Sequence, residues 1–124
     1  NTPGHYLEPA LFVGAEAQMD ISRHEIFGPV AAVLRVPDYD AALATANDCE
    51  FGLSAGIVTR DAAKIDHFSQ NAEAGMIQVN LPTAGMDFHA PFTGRKGSSY
   101  GAPEKGSYCR EFFTAAKVVH AGRG

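Results

Sequence analysis

Two short strings in this chain carry residue types able to do binding chemistry. The first is Glu25-Ile26-Phe27-Gly28-Pro29. A carboxylate two residues before an aromatic, beside a rigid Gly-Pro turn, suits a ribosyl cofactor. The carboxylate accepts hydrogen bonds from ribose hydroxyls, and the ring packs on a flat heterocycle. The same residues also fit a plain helix-end glutamate and a core phenylalanine, and spacing alone does not separate the two. The second string is Pro91-Phe92-Thr93-Gly94, with Met86, Phe88 and His89 just before it. An aromatic-lined loop after a strand end forms a natural pocket wall in an α/β protein. The alternative is that Phe88 and Phe92 anchor the loop to its own core.

Other reactive residue types lack a chemical pattern. None of the five histidines, His5, His24, His67, His89 and His120, stands in a metal-ligand spacing, so no metal site is expected. His89 is set apart from the rest only by its place in the pocket loop. Cys49 and Cys109 are 60 positions apart, with no CxxC and no evident base partner. They read as incidental reduced thiols, which points to a cytoplasmic setting. Ser98-Ser99 is not in a GxSxG elbow, and neither GxGxxG nor GxxxxGK[ST] occurs.

The elements that must position these residues follow from pattern. Tyr6 to Val13 suggests short extended pieces at an edge, because Pro9 cannot donate to a ladder. Asp20 to Glu25 suggests a helical turn ending near Gly28-Pro29. Val30 to Val36 is a continuous apolar run, the pattern of a strand buried on both faces. Asp38 or Asp40 can cap a helix running to Asn47, and Asp61 can cap one running to about Asn71. Ser54 to Thr59 and Gly75 to Asn80 read as strands between and after these helices. The resulting strand–helix–strand–helix–strand order predicts a parallel sheet with right-handed crossovers. Leu81 to Gly101 is a long loop rich in Gly, Pro and Ser, a length that is usually functional. Glu104 to about Phe113 predicts a last helix, and Thr114 to Val119 a last strand.

Composition sets the outer bounds. The 124 residues are 45% hydrophobic and 19% charged, which is globular and not disordered. The net charge is −4 and the densest basic stretch is Arg95-Lys96, which argues against duplex nucleic acid as a partner. No apolar run approaches the roughly 18 residues of a membrane span. The start at Asn1-Thr2-Pro3-Gly4-His5, without Met or a signal-like pattern, fits a fragment or processed piece.

Six strings in order resemble the aldehyde dehydrogenase superfamily across essentially the whole chain. They are Gly4 to Pro9, Glu25 to Val30, Ala46-Asn47 with Phe51 to Ala55, Gly75 to Asn80, Pro91 to Ser98, and Glu104 to Lys117. The resemblance implies a three-layer αβα fold with a parallel sheet, residues 1–113 being the C-terminal part of the catalytic domain. Residues 114–124 would be an oligomerisation strand and tail. It implies that Glu25 binds the nicotinamide-side ribose of NAD or NADP and that Phe27 packs near the nicotinamide. Asn80, Phe88 and Phe92 would fall in the strand end and loop of the substrate tunnel. Implied partners are an aldehyde substrate and further copies of the chain, as a dimer or tetramer. The family's "GQxC" nucleophile and "ELGG" base motifs are missing, so no catalytic residue is assigned and the piece is expected to be inactive by itself.

The loop from Asn80 to His89 and from Gly94 to Gly101 is similar to bacterial α-ketoglutaric semialdehyde (2,5-dioxovalerate) dehydrogenases of sugar-acid catabolism. Thr83 or Arg95 could face the carboxylate of such a substrate, or arginines from the missing part could do so instead. One departure is Thr93, where the family usually has Gly. A β-branched residue disfavours φ > 0 and puts the local turn in question. The competing readings are a non-catalytic assembly or binding module, and another superfamily member such as a succinic semialdehyde or CoA-acylating dehydrogenase.

Overall fold

The computed structural model describes residues 3–124. The chain is α/β and forms two compact units, divided between Glu50 and Phe51. In the first unit, β1 (Ala10–Val13) and β2 (Val30–Val33) pair in parallel, from Ala10↔Val30 to Val13↔Val33. The short helix α1 (Asp20–Arg23) lies between them in sequence. Pro9 comes just before β1, where its missing donor costs no ladder bond. Helix α2 (Tyr39–Asn47) follows, started by the Asp38 carboxylate, which accepts from the Ala41 amide at 2.8 Å. That bond satisfies one of the orphan donors of the first turn. Leu43 is buried on this helix, and Arg23 pairs with Asp48 at 3.3 Å.

The second unit is built on a β–α–β segment. Strand β3 (Phe51–Gly52) leads into β4 (Ser54–Ile57), helix α3 (Ala62–Asn71) and β5 (Met76–Val79). Strands β4 and β5 pair in parallel, from Ser54↔Met76 to Ile57↔Val79. Asp61 caps α3 by accepting from the amides of Ala63 and Lys64. Phe68, Ala72 and Met76 are this unit's buried apolar residues. Phe68 lies in the last turn of α3, Ala72 caps its C-terminus and Met76 opens β5.

Several expectations need correction. Val30 to Val36 forms a strand over only its first four residues. Its side chains alternate between half-buried and exposed, so within this chain it is not covered on both faces. The single sheet expected from Val30 to Asn80 is instead two separate pairs: β2 bonds to β1, and β4 bonds to β5. A strand order in sequence does not dictate which edges join. The long loop contains β6 (Arg95–Lys96), which pairs antiparallel with β3. The last helix is shorter than expected: a 3₁₀ turn (Gly106–Tyr108) runs into α4 (Cys109–Phe113). Thr114 to Val119 forms no strand. A strand exists only as half of a ladder, and no described segment offers this one a partner. No helix among the described residues is long and apolar enough to cross a membrane.

Candidate functional site

The expected site residues fall into two groups, each inside one unit. The first group stands on the turn between α1 and β2. Pro29 has a fixed φ, and around it the Val30 amide donates to the Gly28 carbonyl at 2.8 Å. The Pro29 carbonyl accepts from Ala10 at 2.9 Å, which ties the turn to β1. Phe27 just before it has φ 59, in the left-handed region that a bulky side chain rarely adopts. Such a conformation costs roughly 1–3 kcal/mol and recurs at ligand clamps. Here it leaves the Phe27 ring 91% exposed. The plain alternative of a core phenylalanine is therefore corrected: in this chain the ring packs into no core.

Glu25 is exposed beside it. Both residues line one cavity of about 300 Å³, together with Ile21, His24, Gly28 and Val30. The cavity offers an acceptor-only carboxylate and an uncovered aromatic face within one turn of chain. Those are the groups that a ribose diol and a flat heterocycle require, so the residues present fit a nicotinamide ribosyl group. In the same unit, partial desolvation first and the Asp40 charge second raise the Tyr39 hydroxyl above its ordinary pKa.

The second group begins where β5 ends. The Asn80 amide continues the ladder to the Ile57 carbonyl at 2.8 Å. The chain then turns with φ 55 at Asn80, which Asn tolerates better than most residues. The Asn80 side chain is engaged at both ends. Oδ1 accepts from the Thr59 amide at 2.9 Å, and Nδ2 donates to the Thr59 carbonyl at 3.0 Å. It thus imitates one more backbone rung between β4 and β5.

Beyond Asn80, a cavity of about 420 Å³ is lined by Ile77, Gln78, Leu81, Met86, Pro91 and Phe92 among others. The Gln78 amide Nε2 lies 2.6 Å from the Met86 sulfur. Phe92 is held by a two-bond bridge to Glu104, at 2.6 and 2.9 Å. Phe88 is 70% exposed and lies outside that lining. It packs on the His89 ring at 3.8 Å, and His89 Nδ1 is 3.1 Å from Asp87 Oδ1. The structure therefore brings Glu25 and Phe27 together and puts Phe92 on a cavity wall. It holds Asn80 at the head of the loop and leaves Phe88 on its surface.

The loop is fastened from behind. Gly75 admits no side chain, because a Cβ there would overlap the Thr93 carbonyl. Ser98 Oγ accepts from the Gly52 amide at 2.9 Å. Thr93 itself avoids the left-handed region, which is taken instead by Lys96 with φ 52. The turn thus accommodates a β-branched residue at position 93, with a positive φ at Lys96. Arg95 donates to the Ala72 carbonyl at 3.4 Å, and Lys96 pairs with Glu73 at 2.6 Å, so both cations serve the end of α3. Thr83 accepts through its carbonyl from Ser54 Oγ at 3.4 Å.

Neither Cys49 nor Cys109 forms a disulfide; Cys49 Sγ lies 3.8 Å from the Ala46 carbonyl, one helical turn back. No cluster of three or more His, Cys, Asp or Glu able to hold a metal occurs among the described residues. One residue escaped the sequence reading. Lys105 places its ammonium 4.7 Å from the centre of the Phe92 ring. A lone lysine before a glycine has no periodic or motif signal that could have pointed to it.

A family model described as the aldehyde dehydrogenase family matches residues 1–119. An alpha-ketoglutarate semialdehyde dehydrogenase of Haloferax volcanii is 42% identical over 118 residues, which are 94% of this chain and 24% of that protein. An alpha-ketoglutaric semialdehyde dehydrogenase of Bacillus subtilis is 41% identical over 116 residues, again 94% of this chain and 24% of that protein. Among solved structures, an indole-3-acetaldehyde dehydrogenase of P. syringae in complex with NAD+ superposes with a TM-score of 0.84 at 35% identity. That match covers 90% of this chain and 22% of the other. The chain thus spans about a quarter of the length of the proteins it matches.

Proposed function

The chain belongs to the aldehyde dehydrogenase family, and on that premise we propose that it supplies part of the active site of an NAD(P)-dependent enzyme oxidising an aldehyde to a carboxylate. The substrate we infer is α-ketoglutaric semialdehyde, with 2-oxoglutarate as product. Similarity to two semialdehyde dehydrogenases at about 41–42% identity supports that choice. The observation that carries the reading is the α1–β2 turn. It stands Glu25 and Phe27 side by side, both uncovered, in one cavity.

In this reading Glu25 accepts hydrogen bonds from the ribose hydroxyls of the cofactor and Phe27 packs against its nicotinamide side. When bound, the cofactor supplies the hydride acceptor. Phe92 and the loop headed by Asn80 form one wall of the substrate tunnel. Phe88 belongs to the outer part of that loop. Asn80 contributes by setting where the loop departs, since its amide is already engaged with Thr59. The wall excludes water and orients the aldehyde, which raises the effective concentration of the reacting groups. The thiolate nucleophile and the base come from elsewhere in the complete protein.

The finer architecture is proposed on the same basis. Residues 1–113 belong to a three-layer αβα catalytic domain. Residues 114–124 form a strand and tail that gain a ladder partner from another subunit, which suits a segment with no ladder partner among the described residues. The complete protein is then a dimer or tetramer. The test is an assay of the purified complete protein with 2,5-dioxovalerate and succinic semialdehyde, each with NAD and NADP, beside the 124-residue chain. The complete protein is expected to turn over 2,5-dioxovalerate and the isolated chain none. Turnover by the isolated chain, or failure of the complete protein with any aldehyde, refutes the reading.

A further inference from the structure

The cavity behind Asn80 has an electrostatic gap if its substrate is an acid. The carboxylate on its described lining is Asp87, which accepts from the His89 amide at 2.8 Å and faces the His89 ring. The other lining residues are apolar or neutral. A substrate carboxylate entering such a site loses hydration, and it needs a cation in return. Arg95 and Lys96, the basic pair in the loop sequence, are committed to Ala72 and Glu73.

Lys105 is placed differently. It is half-buried, and it makes no ion pair among the described residues. Its ammonium rests over the face of Phe92, the ring on the cavity wall, 4.7 Å from the centroid. The negative face of the ring attracts a cation and holds it without neutralising it. Position is enforced by the backbone as well. Glu104, the preceding residue, makes the two-bond bridge to Phe92, and Lys105 itself turns with φ 64. Gly106 follows with φ 53 where a Cβ would overlap the His89 carbonyl, so the turn closes only with glycine there. The backbone thus holds Lys105 beside Phe92; Phe92 lines the cavity, and Lys105 reaches it only past that ring.

We propose that Lys105, seated on the Phe92 ring, is a specificity-determining residue that binds the carboxylate of an aldehyde acid. The inference rests on the reading of this cavity as the aldehyde site and adds the group that would select acids over neutral aldehydes. The flexible four-carbon stem lets the ammonium leave the ring face for a carboxylate while Phe92 stays pinned by its backbone.

The test compares succinic semialdehyde with butanal, a neutral aldehyde of matched length, on the complete enzyme and its K105Q and K105R variants. K105Q is expected to raise the KM ratio of the acid to the neutral aldehyde roughly ten- to a hundredfold, the range for losing a charged hydrogen bond. The change falls in KM more than in kcat, and K105R restores most of it. Equal shifts for both aldehydes, no shift for either, or a wild-type enzyme that does not favour the acid would overturn the assignment. A wild-type enzyme that oxidises neither aldehyde refutes the proposed function separately. Succinate titrated calorimetrically into wild type and K105Q then decides the Lys105 assignment by itself, with weaker binding to K105Q supporting it and equal affinities overturning it.

Discussion

Replacing Asn80 by alanine removes the rung that its side chain adds between β4 and β5. Two neutral hydrogen bonds to Thr59 are lost, at 2.9 and 3.0 Å. Both are solvent-exposed, so water replaces much of each, and the pair is worth about 1 kcal/mol, from ~0.5 each at the low end of the usual range. Alanine must also hold φ 55, at a cost of roughly 1–2 kcal/mol for a residue with a Cβ. The expected destabilisation by Asn80→Ala is then about 2–3 kcal/mol. Asn80→Gly loses the same bonds but accepts the backbone angle, and its extra freedom when unfolded costs only ~0.4–1 kcal/mol. It should therefore fall between wild type and the alanine variant. Urea denaturation of the complete protein measures this order. Amide hydrogen exchange at Thr59 reads its bond to Oδ1 directly, and loss of ~0.5 kcal/mol should speed exchange about twofold. An unchanged Thr59 rate in Asn80→Ala, or a glycine variant less stable than the alanine one, would show that the side chain does not act as a backbone rung.

Two further outcomes follow from backbone geometry. Phe27→Gly releases a bulky residue from the left-handed region, so thermal stability should rise by about 1 kcal/mol while NAD binding to the complete enzyme weakens. Calorimetry of both quantities checks this, and unaltered NAD affinity would remove Phe27 from the cofactor site. Gly75→Ala drives a methyl into the Thr93 carbonyl. It should cost more than about 2 kcal/mol and raise the protease sensitivity of the 93–98 loop, whereas a neutral melting point would mean that the loop is not fastened there.

What could be read from the chain was set by neighbours in sequence. Asp38 and Asp61 announce the starts of α2 and α3, because a cap bonds amides two or three residues away. The rigid turn at Gly28-Pro29 and the strand before Asn80 follow from equally local rules. The candidate binding residues in these strings were visible as types, and the family resemblance attached expected roles to them. The left-handed backbone at Phe27 was not visible, since nothing in residue type requires a phenylalanine to adopt it.

The tertiary structure decided every feature that depends on residues far apart in the chain. It paired β6 with β3 across more than forty positions and split the expected sheet into two pairs. It spent the Asn80 amide on Thr59 and turned Arg95 and Lys96 toward the end of α3. It also withheld a strand from Thr114 to Val119. Each depends on which groups meet in space to satisfy a donor, an acceptor or a charge, and long-range partners leave no periodic trace in sequence. By itself the sequence determined the family, the local elements and the residue types of the candidate binding string around Glu25 and Phe27. Only the folded chain decided that Phe27 stands uncovered and that a lone lysine lies against the Phe92 ring.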